Sequence, residues 1–265
     1  MEVLRVLGGN VVGFVLAGGF YFLVLKFLLH VSGPGLMIAS LVCGIIGGAY
    51  SGIAMWKRVY RFRPLSLLGY LLDMTWSLLN AAASLIVWLP CCMVAGGEYV
   101  PADEKSQRSG TFVYTKNPRG GGYDATTVGT VIGGGWSSHE EVHVWQARIF
   151  GPLYLPVYLT SLVLNIIFRL CTGKLDSLVE QAYFRVCFED WAYAAGEGRG
   201  DTVYPGMWIL WFLMCTLYVG FVLLILLGVF EGNLLISLAG VGGLVIYNLI
   251  RVFTPTTKEH SATAS

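Results

Sequence analysis

Ser137-Ser138-His139-Glu140-Glu141-Val142-His143, followed from residue 151 by Gly151-Pro152-Leu153-Tyr154-Leu155-Pro156 and an apolar run to Leu170, joins an H-E-x-x-H segment directly to a stretch of membrane-crossing length. On a helix, residues four apart share a face with their Cβ atoms ~5–6 Å apart, so His139 and His143 can turn ring nitrogens toward one metal ion. Glu140, rotated ~100° from His139, can reach a water at that ion without ligating it, and is the candidate general base. The pairs Ser137/Glu140 and Ser138/Glu141 each have S-x-x-E capping-box spacing and place a helix start at the motif. Gly151-Pro152 is the expected stop, after about Phe150. With four histidines in 265 residues, chance predicts on the order of 0.002 such motifs.

Working outward, the chain is 55% hydrophobic and 12% charged, with a mean hydropathy of +0.67. This is too apolar for a water-soluble domain and reads as a polytopic membrane protein, with the lipid bilayer as its solvent. A net charge of +1, with no basic run interleaved with aromatics, gives no sign of a nucleic-acid partner. The six cysteines have no C-x-x-C spacing and read as small buried hydrophobes.

An apolar run from Gly8 to Leu29 lacks an A-x-A cleavage signature and reads as a membrane anchor. Leu36 to Trp56 is a second span, in which Gly44, Gly47, Gly48 and Gly52 allow close helix contact. The loop Lys57–Pro64 is the densest basic cluster and is expected on the cytoplasmic side. A third span covers Leu65 to about Val87 and can extend to Met93, with Pro90 as kink or end. It carries Asn80 and Asp73, and Asp73 reads equally as a functional group or as a structural partner of the basic loop. Residues 96–136 are polar and Gly-rich, with strand-like content over Thr111–Thr115 and Thr126–Ile132. Two short strands there could bind an extended substrate by edge pairing. After the motif, Cys171–Lys174 reads as a turn and Asp176–Ala195 as a half-buried helix. Pro205–Leu227 and Asn233–Val252 are closing spans, and Thr254–Ser265 is a polar tail.

The expectation is an all-α polytopic membrane protein of five to seven membrane helices with a small extramembrane segment, forming one domain over 1–265. Its parts are membrane helices over 1–95, the extramembrane segment and HExxH helix over 96–150, a helical hairpin over 151–196, membrane helices over 205–253 and the tail 254–265.

A catalytic zinc site needs a third protein ligand and an open fourth position. The H-x-x-G-x-x-H continuation is absent, because Gln146 and Ile149 stand there. Acidic residues downstream are the alternatives, namely Asp176, Glu180, Glu189 and Asp190. A return of ~24 Å from the turn at Gly173 brings Glu189 level with Tyr154 to Leu155 on the preceding helix, while Asp176 stays ~20 Å away. If the basic loop is cytoplasmic, the site emerges on the opposite, extracytoplasmic side.

Glu189-Asp190-Trp191-Ala192-Tyr193-Ala194-Ala195-Gly196 resembles the E-x-x-A-D-x-x-G segment of the membrane gluzincins, the prenyl-protein CAAX protease and HtpX-like family. It keeps Glu189, Ala192 and Gly196 and has Tyr193 where the family has Asp. The resemblance covers two short motifs and implies a zincin-like helix, a Zn2+ cofactor, Glu189 as third zinc ligand and peptidase activity exerted from the cytoplasmic side. His139 through Gln146 with Gly151–Pro156 also resembles a group of bacterial membrane proteins with the same pairing of motifs, which implies a bacterial inner membrane.

The function expected from these residues is a zinc metallopeptidase that cuts protein or peptide substrates, membrane-associated ones included. His139, His143 and Glu189 are its metal ligands and Glu140 its base. Gln146, one turn beyond His143, is a candidate to steady a ligand or touch substrate, and Tyr183, Tyr193 and Tyr123 are candidates to stabilise an oxyanion. The rival reading is a non-catalytic membrane scaffold, or a degenerate relative that keeps the metal as a staple.

Overall fold

The structure is a computed structural model that describes residues 1–100, 109–120, 125–175, 177–196 and 207–253. It is 74% helix with few strands. Among the described residues, five helices are long and apolar enough to cross a membrane: Glu2–Leu28, Pro34–Trp56, Ser138–Cys171, Trp208–Phe230 and Leu234–Phe253. The chain packs as two compact units, Met1–Pro152 and Leu153–Ser265, within the span that the sequence reading treats as one domain.

In the first unit, α1 (Glu2–Leu23, prolonged by a wide π turn over Val24–Leu28) lies antiparallel to α2 (Pro34–Trp56). Glycine makes the contact possible, since a Cβ on Gly13 would stand 2.4 Å from the Gly47 carbonyl oxygen. Small residues let two apolar helices approach closely where lipid offers no hydrophobic drive between them.

The third span departs from the expected straight helix. α3 (Pro64–Met74) and α4 (Leu78–Val94) pass the length and hydropathy test only as a pair, bent by 86°. The break falls at Thr75–Ser77 rather than at Pro90. Pro90 sits in the first turn of a segment entered through a π turn over Ser84–Trp88, where a missing N–H and a bulky ring are tolerated.

The two ends of the bent pair come together. The Tyr99 hydroxyl, beyond α4, donates to the Lys57 carbonyl at 3.0 Å, and the Lys57 ammonium lies 5.1 Å from the Tyr99 ring. The pair therefore enters and leaves beside the basic loop. The expectation that α3 and α4 carry the chain to the far side assumed an unbroken helix.

Among the described residues, β1 Phe112–Tyr114, β2 Thr126–Val128 and β3 Val131–Gly133 form a three-stranded sheet of order β1-β3-β2. The stretch expected as one strand is thus a hairpin, β2 being antiparallel and β1 parallel to β3. Its turn carries Gly129 at φ +58°, where a Cβ would also lie 2.2 Å from the Asn80 carbonyl oxygen. Only glycine satisfies both constraints. The buried residues Phe112, Tyr114 and Val131 join Tyr50, Tyr70, Met74 and Cys92 in the unit's core.

In the second unit, α6 (Tyr154–Cys171) is followed by a return made of α7 (Leu178–Tyr183) and α8 (Cys187–Ala195). The single helix expected over Asp176–Ala195 is broken, because Val186 adopts extended backbone. The return is nevertheless antiparallel to α6: the Asn165 amide donates to the Ala182 carbonyl at 3.2 Å, and Tyr154 meets Phe188 with ring centroids 4.9 Å apart. α9 (Trp208–Phe230) and α10 (Leu234–Phe253) complete the unit. Lys174 donates to the Val252 carbonyl at 2.9 Å and Arg185 to the Arg251 carbonyl, so basic side chains satisfy the last-turn carbonyls of α10.

Candidate metal centre

The HExxH helix, α5, spans Ser138–Phe150 as the capping pattern predicts, and the Ser137 hydroxyl accepts the Glu140 backbone N–H at 3.2 Å. Its other end is held from a distance. Ser77 donates to the Ala147 carbonyl at 2.9 Å, Asn80 to Ala147 and Gly151 at 3.0 and 2.7 Å, and the Trp76 indole to Ile149 at 3.1 Å. The break in the bent pair thus supplies donors to carbonyls that a helix end leaves without internal partners.

Arg148 anchors the back of this helix. It is wholly buried, and its Nε and Nη2 donate to the Asp73 carboxylate at 3.0 and 2.6 Å, while further donors reach Ser109 O at 2.5 Å and Gly110 O at 2.9 Å. Tyr60, from the basic loop, donates to the same carboxylate at 2.5 Å. Of the two roles open to Asp73, the structure gives it this one, with Arg148 as its principal partner. Burial and the Asp73 charge hold the Tyr60 phenol well above its ordinary pKa, so it remains a donor.

On the front face, the Nε2 atoms of His139 and His143 stand 3.1 Å apart. The Nδ1 of His143 lies 2.8 Å from Gln146 Oε1. An amide oxygen only accepts, so Nδ1 carries the proton and Nε2 presents its lone pair. Glu140, 6% exposed, accepts from the Thr127 hydroxyl at 2.6 Å through Oε2, which ties its carboxylate to strand β2.

In the second unit, Glu189 is 1% exposed and its Oε1 accepts from the Tyr158 hydroxyl at 2.5 Å. One ligand atom from each of His139, His143 and Glu189 lies within 4.8 Å of the others, a possible metal-binding triad. These residues fit a divalent ion of zinc's type. They offer two imidazole nitrogens and one carboxylate oxygen, and nitrogens bonded at ~2.0–2.1 Å to a tetrahedral ion stand about 3.3 Å apart.

Two of the other acids are placed elsewhere. Asp190 is ion-paired with Arg251, and burial, opposed by the Arg251 charge, leaves its carboxyl pushed up to about 6. Glu180 is exposed on α7, and Asp176 lies outside the described residues. Of the oxyanion candidates, Tyr183 and Tyr193 flank the Phe184 ring at 5.5 and 5.9 Å, and Tyr123 lies outside the described residues. Thr127, Tyr158 and Arg148 escaped the sequence reading. The first two are common residue types in no motif, and the third meets its partner 75 positions away.

No family model, no curated protein and no solved structure matches the chain.

Proposed function

We propose that this chain is a zinc-dependent membrane metalloendopeptidase, akin to the membrane gluzincins, that hydrolyses peptide bonds at or near the lipid interface. The observation that carries the reading is the constellation of His139, His143 and Glu189 around one point, with the tautomer of His143 fixed by Gln146. A zinc ion held there would act as a Lewis acid, polarising a carbonyl and making a nearby water more acidic.

The chain's own residues account for the remaining steps. Glu140 accepts a proton from the attacking water as the water oxygen bonds to the carbonyl carbon, then delivers it to the amine nitrogen as the C–N bond breaks. Thr127 keeps the Glu140 carboxylate aimed through its 2.6 Å hydrogen bond. Strand β2, at one side of the sheet, offers backbone groups to an extended substrate next to that base.

The first unit supports one reading of sidedness. The basic loop, the sheet and the HExxH helix are joined through Tyr99, Tyr60, Asp73 and Arg148. The charge bias of short loops puts such a loop in the cytoplasm, so the HExxH helix begins on the cytoplasmic side, in this proposal that of a bacterial inner membrane.

The test is hydrolysis of a casein-type peptide by purified chain in detergent. Glu140→Gln keeps the shape of the side chain but cannot take up the proton, so turnover falls at least ~100-fold while the zinc content stays the same. Cleavage at the parent's rate by this variant leaves Glu140 as no more than a capping residue.

A further inference from the structure

Three residues of the proposed centre are gripped by uncharged side chains: His143 by Gln146, Glu140 by Thr127 and Glu189 by Tyr158. The third grip is the most strongly built. Tyr158 follows Tyr154 by one turn of α6, and both rings pack on Phe188, the residue next to Glu189. Tyr158 and Phe188 are stacked with only 3° between their planes at 6.3 Å, and Tyr154 meets Phe188 at 4.9 Å. The aromatic pack sets where the Tyr158 hydroxyl sits, and the hydroxyl in turn grips one carboxylate oxygen at 2.5 Å.

We infer that Tyr158 is a positioning residue for Glu189, holding one carboxylate oxygen so that the side chain binds the metal through the other. The inference rests on the zinc reading above. A hydrogen bond from a neutral hydroxyl to a carboxylate is short and strong, and it leaves the carboxylate its full negative charge to offer a cation. It also restrains the side-chain torsions of Glu189 before metal arrives, which lowers the ordering cost of binding.

The test compares zinc affinity, read by competition with a chromophoric chelator, in the parent chain, Tyr158→Phe, Glu189→Ala and the double variant. Phenylalanine keeps the ring against Phe188 and removes only the donor. Tyr158→Phe is expected to weaken zinc binding about 10–100-fold with an unchanged unfolding midpoint. In the Glu189→Ala background the same change is expected to have no further effect, because the group it positions is gone. The visible absorption of the cobalt(II)-loaded chain gives a second readout and is expected to differ between parent and Tyr158→Phe. Parent-like zinc affinity and cobalt spectrum in Tyr158→Phe, or an equal loss in both backgrounds, overturns the inference while leaving the metal site standing. A parent chain that takes up no zinc overturns the metal reading and this inference together.

Discussion

On one side of the helix Ser138–Phe150, buried Arg148 meets the Asp73 carboxylate and two backbone carbonyls. About 140° round the helix, buried His143 meets the nitrogen of His139 at 3.1 Å and the oxygen of Gln146 at 2.8 Å. Burial is alike on the two sides, but the electrostatics differ. Arg148 and Asp73 cancel one another's charge, and the Ser109 and Gly110 carbonyls and the Tyr60 hydroxyl take up hydrogen-bonding capacity the pair leaves over, which is how a fold tolerates ions in its interior. The histidine side offers nitrogen lone pairs and belongs to a possible metal-binding triad with Glu189. Burial of polar groups does not by itself mark a site. The sum of the charges that face one another does.

The comparison breaks most sharply at the ion pair. Removing one partner, as in Asp73→Asn or Arg148→Met, leaves an uncompensated buried group and should cost about 3–5 kcal/mol. The expected readout is a large fall in unfolding midpoint in detergent, while zinc bound per folded chain changes little. Replacing both together, Asp73→Leu with Arg148→Met, should recover much of that stability. If Asp73→Asn kept its midpoint and lost its zinc, Asp73 would belong to the functional side instead.

A smaller effect is expected from Gln146→Leu. Without the oxygen that takes the Nδ1 proton, His143 is free to change tautomer and turn its ring, so zinc affinity should fall ~10–100-fold. The midpoint should move less than for Asp73→Asn, because no buried charge is stranded. Chelator competition and thermal unfolding on the same preparation separate the two effects. Unaltered zinc affinity would reduce Gln146 to a core residue.

What could be read from the chain is what local chemistry decides. Ser137 and Gly151-Pro152 bound the HExxH helix within its own neighbourhood, and its observed limits match. Four of the five membrane-length helices were legible from apolar run length alone, and the fifth contains the apolar run that begins after Gly151-Pro152. Helix rise was enough to bring Glu189 level with Tyr154 to Leu155, and its hydroxyl partner is Tyr158, one turn further along. What remained hidden depends on pairs remote in sequence. The break at Thr75–Ser77 is held by bonds from Ser77 and Asn80 to carbonyls about 70 residues on, and no turn residue announces it. In the proposed reading the side on which the HExxH helix begins depends on that break, which the apolar run Leu65–Val87 does not announce. The hairpin at Gly129 was concealed because Thr126–Ile132 is β-branched nearly throughout and reads as one strand.

Metal content tests the central claim most directly, measured by elemental analysis after purification without chelators for the parent, His143→Ala and Glu189→Ala. The account predicts about one zinc per parent chain and a loss in Glu189→Ala nearly as complete as in His143→Ala, since two ligands hold the ion too weakly to survive purification. Full zinc occupancy in Glu189→Ala, or a parent chain free of metal, would contradict it.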